Sequence, residues 1–142
     1  MKMIFACLCF SVCCFAAKPV VVDHNDLKTF KNNGNSLCGL ATPALGAQEF
    51  EVWHSSIAAG SCTPRHTHET EEIFIFFKGE GKAVVGDEEV FYKAPCTLIL
   101  PAHVPHQIFN LGDEPTDHIA VLGCHSEIVS SSGMIMQLPW RE

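Results

Sequence analysis

The sequence predicts an all-β domain, a sandwich or a barrel, on three observations. Between Glu49 and Leu122, short apolar runs recur every few residues, and several alternate with a period of two, the spacing at which a strand presents one face to a core. Turn-forming residues separate the runs: Gly86-Asp87, Ala94-Pro95, Pro101-Ala102 and Leu111 to Pro115. One run, Gly60 to Gly79 (GSCTPRHTHETEEIFIFFKG), places His66, His68 and Glu72 at even spacings, so a strand there brings two imidazoles and a carboxylate onto one face.

The 142 residues suit a single domain large enough to bury a core. Met1 to Ala17 (MKMIFACLCFSVCCFAA) has one Lys, an apolar run from Met3 to Phe15 and then small residues. That is the layout of a secretory signal peptide cut after Ala16 or Ala17, leaving residues 18–142 as the mature domain and a secreted or lumenal location. The apolar run is shorter than the roughly 20 residues a spanning helix needs, and no second run approaches that length. Four of the eight cysteines fall in the leader. Cys38, Cys62, Cys96 and Cys124 remain, open to three full pairings or to life as buried thiols. None has the CxxC spacing of a thiolate zinc or thioredoxin-like site. The net charge of −7 becomes about −8 without Lys2, and no run of Lys or Arg occurs, which argues against a nucleic-acid partner.

Taken in order, Lys18 to Val22 reads as a short edge strand. Asp23-His24-Asn25-Asp26 offers N-cap residues ahead of LKTFKNN, a short helix that Gly34 would end. Leu37 to Ala47, rich in Gly and Ala and carrying Pro43, reads as irregular with at most one strand. Glu49 to Ile57 (EFEVWHSSI) reads as a strand with Phe50 and Val52 on one face and Trp53 on the other. Glu72 to Phe77 is apolar on both faces: Phe74 and Phe76 go inward with the histidines, and Ile73, Ile75 and Phe77 go outward. That outward row predicts a homodimer. Lys78-Gly79-Glu80-Gly81 and Gly86-Asp87 read as hairpin turns. Ala83–Val85, Val90–Lys93, Thr97–Leu100, Gln107–Asn110 and His118–Leu122 complete the strands, and an apolar stretch from Met134 to Leu138 precedes Trp140.

A second stretch, Pro101 to Asn110 (PAHVPHQIFN), supplies His106 as a fourth donor. Three imidazoles and one carboxylate suit a first-row divalent ion: Zn, Mn, Fe, Ni or Cu. His24, His54, His103, His118 and His125 lie outside this pattern and read as surface or internally satisfied histidines. Tyr92 and His103 are the sequence candidates for a general acid or base beside a metal.

Gly60-x5-His66-x-His68-x3-Glu72-x6-Gly79 resembles the first cupin motif, and Pro101-x4-His106-x3-Asn110 resembles most of the second. Pro95 and His103 stand where that motif usually has glycine. The resemblance implies a jelly-roll barrel and metal ligation by His66, His68, Glu72 and His106. Within the cupins the chain is similar to plant auxin-binding proteins, through Glu51-Val52-Trp53, Thr63-Pro64, Glu71 to Phe74, Lys78-Gly79 and Pro105-His106-Gln107 with Asn110. That family implies zinc, with a small, aromatic carboxylic acid on it. Trp53, Thr63, Pro64, Phe74 and Trp140 would then line an apolar pocket. The plant proteins' KDEL-type ending has no counterpart at Trp140-Arg141-Glu142. The expected function is a secreted metal-binding cupin that holds such an acid. The alternative is a metal-dependent cupin enzyme, an oxygenase, isomerase or lyase.

Overall fold

A computed structural model describes residues 18–141; the expected leader at 1–17 lies outside the described residues. Eleven strands form in chain order: β1 (Phe30–Asn32), β2 (Asn35–Ala41), β3 (Phe50–Ile57), β4 (His66–His68), β5 (Glu72–Lys78), β6 (Glu80–Val85), β7 (Glu88–Lys93), β8 (Cys96–Leu100), β9 (His106–Asn110), β10 (Asp117–Gly123) and β11 (Ile128–Ser130). They make two antiparallel sheets. One runs β1-β2-β3-β10-β5-β8 and the other β11-β4-β9-β6-β7. From β3 onward the pairs are nested, β3 with β10, β4 with β9, β5 with β8 and β6 with β7. This is the connectivity of a long hairpin rolled over on itself, which is how a jelly roll arises.

The predicted alternation holds on the core-forming strands. Along β3 the buried residues are Glu51, Trp53, Ser55 and Ile57, and along β5 they are Glu72, Phe74 and Phe76. Together with Leu100, Ile108, Ala120 and Leu122 these fill the space between the sheets. Outside β5, Ile75 and Phe77 are exposed, as is Ile99 on neighbouring β8.

Four local expectations are corrected. The helix expected after Asp26 does not form. His24–Asp26 makes one 3₁₀ turn, capped by the Asp23 side chain, and then the chain extends. Asn33 and Gly34 both take positive φ, 47° and 79°, and join β1 to β2 as a two-residue hairpin with Asn32 paired to Asn35. That is the backbone such a turn demands, and Asn-Gly supplies it at little cost. Lys18–Val22 is not a strand, and Val21 stands exposed. The stretch expected to be largely irregular after Leu37 is mostly β2 and a 3₁₀ turn over Pro43–Leu45. Finally, Gly79 is not a hairpin turn: β5 and β6 belong to different sheets, and Gly79 with φ of 105° turns the corner between them. A Cβ there would meet Thr116 at 2.8 Å.

Candidate metal centre and cavity

His66 and His68 point the same way because they alternate on β4. Glu72 joins them by a route the parity of the sequence does not reveal. Strand pairing breaks at Glu69–Glu71, and Glu72 opens β5 in the opposite sheet. Ser126 Oγ accepts from the backbone N–H groups of Glu69 and Thr70 and so holds this corner. His106 opens β9 directly opposite His66 in register. His103 takes φ of 63° itself, and its N–H donates to His68 O, so the turn ahead of His106 keeps its shape without a glycine.

One donor atom from each of His66, His68, Glu72 and His106 lies within 4.8 Å of the others. All four predicted ligands therefore converge. The Nδ1–H of His66 donates to Pro64 O at 2.8 Å, that of His68 to Thr70 O at 2.6 Å and that of His106 to Val104 O at 2.9 Å. These bonds commit each Nδ1 as a donor and leave each Nε2 with its lone pair turned toward the others. His106 Nε2 is buried with no hydrogen-bond partner. It lies 3.5 Å from Glu72 Oε2, which is itself 3.1 Å from His68 Nε2. Lone pairs facing one another in a buried space repel unless a proton or a cation sits among them. The donor set therefore fits a divalent metal.

The charges fit as well. Burial would raise the Glu72 carboxyl, but the imidazoles of His106 and His68 outweigh it and draw its pKa down to about 2. Burial lowers the pKa of His66 despite the pull of Glu72, whereas for His68 burial is outweighed by the Glu72 carboxylate, to which the protonated ring donates through Nε2, and the pKa rises.

A cavity of about 600 Å³ opens beside the cluster, reached by His66 and Glu72. Trp53, Thr63, Pro64 and Phe74 line it as expected, joined by Leu37, Gln107, Ile128 and residues 136–139. Trp140 is placed differently. It packs on Trp53 with ring centroids 5.7 Å apart, and its Nε1–H donates to Glu51 Oε2 at 2.9 Å. Tyr92 is a packing residue, stacked 4.2 Å from Phe76 with its hydroxyl on Phe109 O. Of the predicted acid–base candidates, neither Tyr92 nor His103 lines the cavity.

Two buried polar residues escaped sequence reasoning. His118, read as a satisfied or surface histidine, is 1% exposed and forms part of the cavity wall. Burial pushes its pKa down to about 4. Its inward parity on β10 was the available signal. Glu51 is fully buried and bound by Arg141 as well as by Trp140, so that the C-terminal residues are tied to β3. Nothing local marks such a long-range pair. The four cysteines of the described residues are free thiols, with Cys62 Sγ accepting from Gln107 Nε2 at 3.3 Å.

Comparison with known proteins accords with this geometry. A family model described as "Cupin domain" matches residues 53–122, and auxin-binding protein T85 of Nicotiana tabacum is 30% identical over 133 residues, covering 84% of this chain and 71% of that protein. The chain belongs to the cupin family. Among solved structures, the polyketide cyclase RemF of Streptomyces resistomycificus superposes on this cupin with a TM-score of 0.67 at 17% identity, covering 87% of this chain and 92% of RemF. Bacillus subtilis oxalate decarboxylase, described with Mn(II) centres, gives 0.67 at 18% identity, covering 76% of this chain and 31% of its own. At these identities the two structures bear on the fold alone. No helix among the described residues is long and apolar enough to cross a membrane.

Proposed function

We propose that this cupin is a secreted metal-binding protein that holds a small organic acid, with the acid's carboxylate completing the coordination of a zinc ion. The observation that carries the reading is the unpartnered, buried Nε2 of His106 among three histidines whose other nitrogens are all engaged. A neighbouring cavity with an aromatic and aliphatic wall suits the apolar body of such an acid. The likeness to proteins named for binding auxin favours an aromatic one. When bound, the ion would supply a positive charge for the carboxylate. The chain's own part is to orient three imidazoles through Pro64, Val104 and Thr70 and to keep the cavity wall apolar. Elemental analysis of protein purified without chelator, beside His106→Ala, tests this. Near-stoichiometric zinc that is lost in the variant is expected, and no metal in either protein would overturn the proposal.

A second reading, a metal-dependent cupin enzyme, is favoured by the manganese centres named for the structurally similar oxalate decarboxylase. Iron, manganese or copper in place of zinc would support it. His118, neutral down to about pH 4, offers such an enzyme no general acid at ordinary pH and only a weak general base. The exposed row of Ile75, Phe77 and Ile99 on the outer sheet face suits a homodimer. Light scattering that finds a monomer at micromolar concentration would refute that.

A further inference from the structure

We propose that the cavity carries a second polar anchor, the Nε2–H of His118 backed by Thr116, and that the acid it selects bears a hydrogen-bond acceptor at the end remote from its carboxylate. This rests on the carboxylate-binding reading and extends it to the other end of the ligand.

The tautomer follows from counting protons. Thr116 Oγ1 accepts the backbone N–H of Ile57 at 2.9 Å and lies 3.1 Å from His118 Nδ1. The hydroxyl has one proton to give, and His118 Nδ1 is its only acceptor among the described residues. We assign the hydroxyl as the donor to His118 Nδ1, the arrangement that gives its proton an acceptor and places the ring proton on Nε2. That nitrogen makes no hydrogen bond with the protein among the described residues, although the side chain is almost wholly buried and faces the cavity. The N–H is left to the cavity, where an acceptor on a bound molecule would pair with it directly. Burial keeps the imidazole neutral at ordinary pH, so it presents a donor rather than a charge.

Position sets the shape of the ligand. The His118 ring lies between Phe74 and Phe76, 5.2 and 4.9 Å from their centroids. These residues follow Glu72 along the inner face of β5. At about 3.4 Å per residue, His118 stands roughly 10 Å along the strand from the metal-site carboxylate. Trp53 and Phe74 provide the wall in between. One aromatic ring with a short carboxyalkyl arm and a ring hydroxyl or carbonyl suits that length.

Calorimetric titration of the zinc-loaded protein with matched pairs tests this: phenylacetate against 4-hydroxyphenylacetate, and 3-phenylpropionate against its 4-hydroxy analogue. The wild type should bind the hydroxylated member of at least one pair about 3- to 10-fold more tightly, the worth of one added hydrogen bond. His118→Phe should erase that preference while still binding the plain acid. His118→Gln, which keeps an N–H donor, should retain part of it and serves if the Phe variant fails to fold. Equal affinity for both members in the wild type, or a preference that survives in His118→Phe, would overturn the proposal. Failure of all four acids to bind the wild type would instead overturn the carboxylate reading, and this proposal with it.

Discussion

Replacing His106 with leucine should affect stability differently with and without metal. His106 is fully buried, and its Nε2 has no hydrogen-bond partner. Leaving such an atom unpaired costs about 1–3 kcal/mol. Leucine is of similar bulk and removes that cost. It also forfeits the bond from Nδ1–H to Val104 O, worth about 0.5–1.5 kcal/mol. In chelator the two effects nearly cancel, and the loss of the imidazole that helps keep Glu72 ionised falls on the other side, so the variant should lie within about 1.5 kcal/mol of the wild type. With zinc held at about 100 times its dissociation constant the wild type gains about 2.7 kcal/mol. The variant, short of one donor, gains little. At about 3–5 °C per kcal/mol for a domain of this size, the wild type should melt about 10 °C above the variant in zinc and close to it in chelator. Scanning calorimetry of both proteins under both conditions reads this directly. A loss of 3 kcal/mol or more in chelator would show that His106 is a structural core residue, and the metal assignment would fall.

Other expectations follow from the same packing. For His118 the folded pKa of about 4 lies below the ordinary 6.5, so the unfolded chain takes up the proton first. Its contribution is full above pH 6.5 and is lost as pH falls toward 4, by about 2 kcal/mol at pH 5. In chelator His118→Phe should therefore lose less stability than the wild type between pH 7 and pH 5, and an equal loss for the two proteins in urea melts at the two pH values would count against this. Arg141→Ala strands the buried Glu51 carboxylate with only the Trp140 indole as partner and should cost about 3 kcal/mol. Glu51→Gln in the same chain should restore much of that, and a thermal melt showing less than 1 kcal/mol lost would mean the pair does not hold the C-terminal residues. Phe77→Asp, in the exposed row beside Ile75, should give a monomer by light scattering with an unchanged metal content; a dimer that persists would place the interface elsewhere.

The strands were legible where their residues alternate. β3, β5 and β10 each bury one face against a single core, so burial imprints a period of two on the sequence. The clustering of His66, His68, Glu72 and His106 was legible because motif spacing records it, although the route differs from the one that parity suggests. Glu72 meets the histidines from the opposite sheet rather than along one strand. What was illegible depends on distant partners. Asn33-Gly34 suits a helix end and a hairpin turn equally well, and only the pairing of Phe30 with Leu37 decides between them. Gly79 looks like a hairpin turn locally, but β5 pairs with β8 and β10 while β6 pairs with β7 and β9. Nothing near Glu51 in the chain shows that its carboxylate is bound by Arg141, ninety residues later.

The buried polar residues divide by whether their bonding is complete, and the division separates architecture from chemistry. Asn110 gives its amide protons to Ile57 O and Glu114 O and accepts from Gly112 N. Ser126 Oγ accepts from two backbone N–H groups, and Glu51 is met by Trp140 and Arg141. Such groups fix corners and ends of the fold, and their neighbours meet their hydrogen-bonding needs. His106 and His118 share the same core yet keep one ring nitrogen each without a protein partner, after the other has been fixed in place. Arg141 Nε is likewise buried without a partner, but its guanidinium is held through its terminal nitrogens by Ser126 O and Glu51, whereas each histidine leaves open the one nitrogen that remains to it. The two nitrogens open on opposite ends of one site, one among the metal donors and one on the cavity wall. The proposed metal ion would meet the first and the remote acceptor of the proposed ligand the second, so that a molecule with its carboxylate on the metal needs a further polar group at its other end.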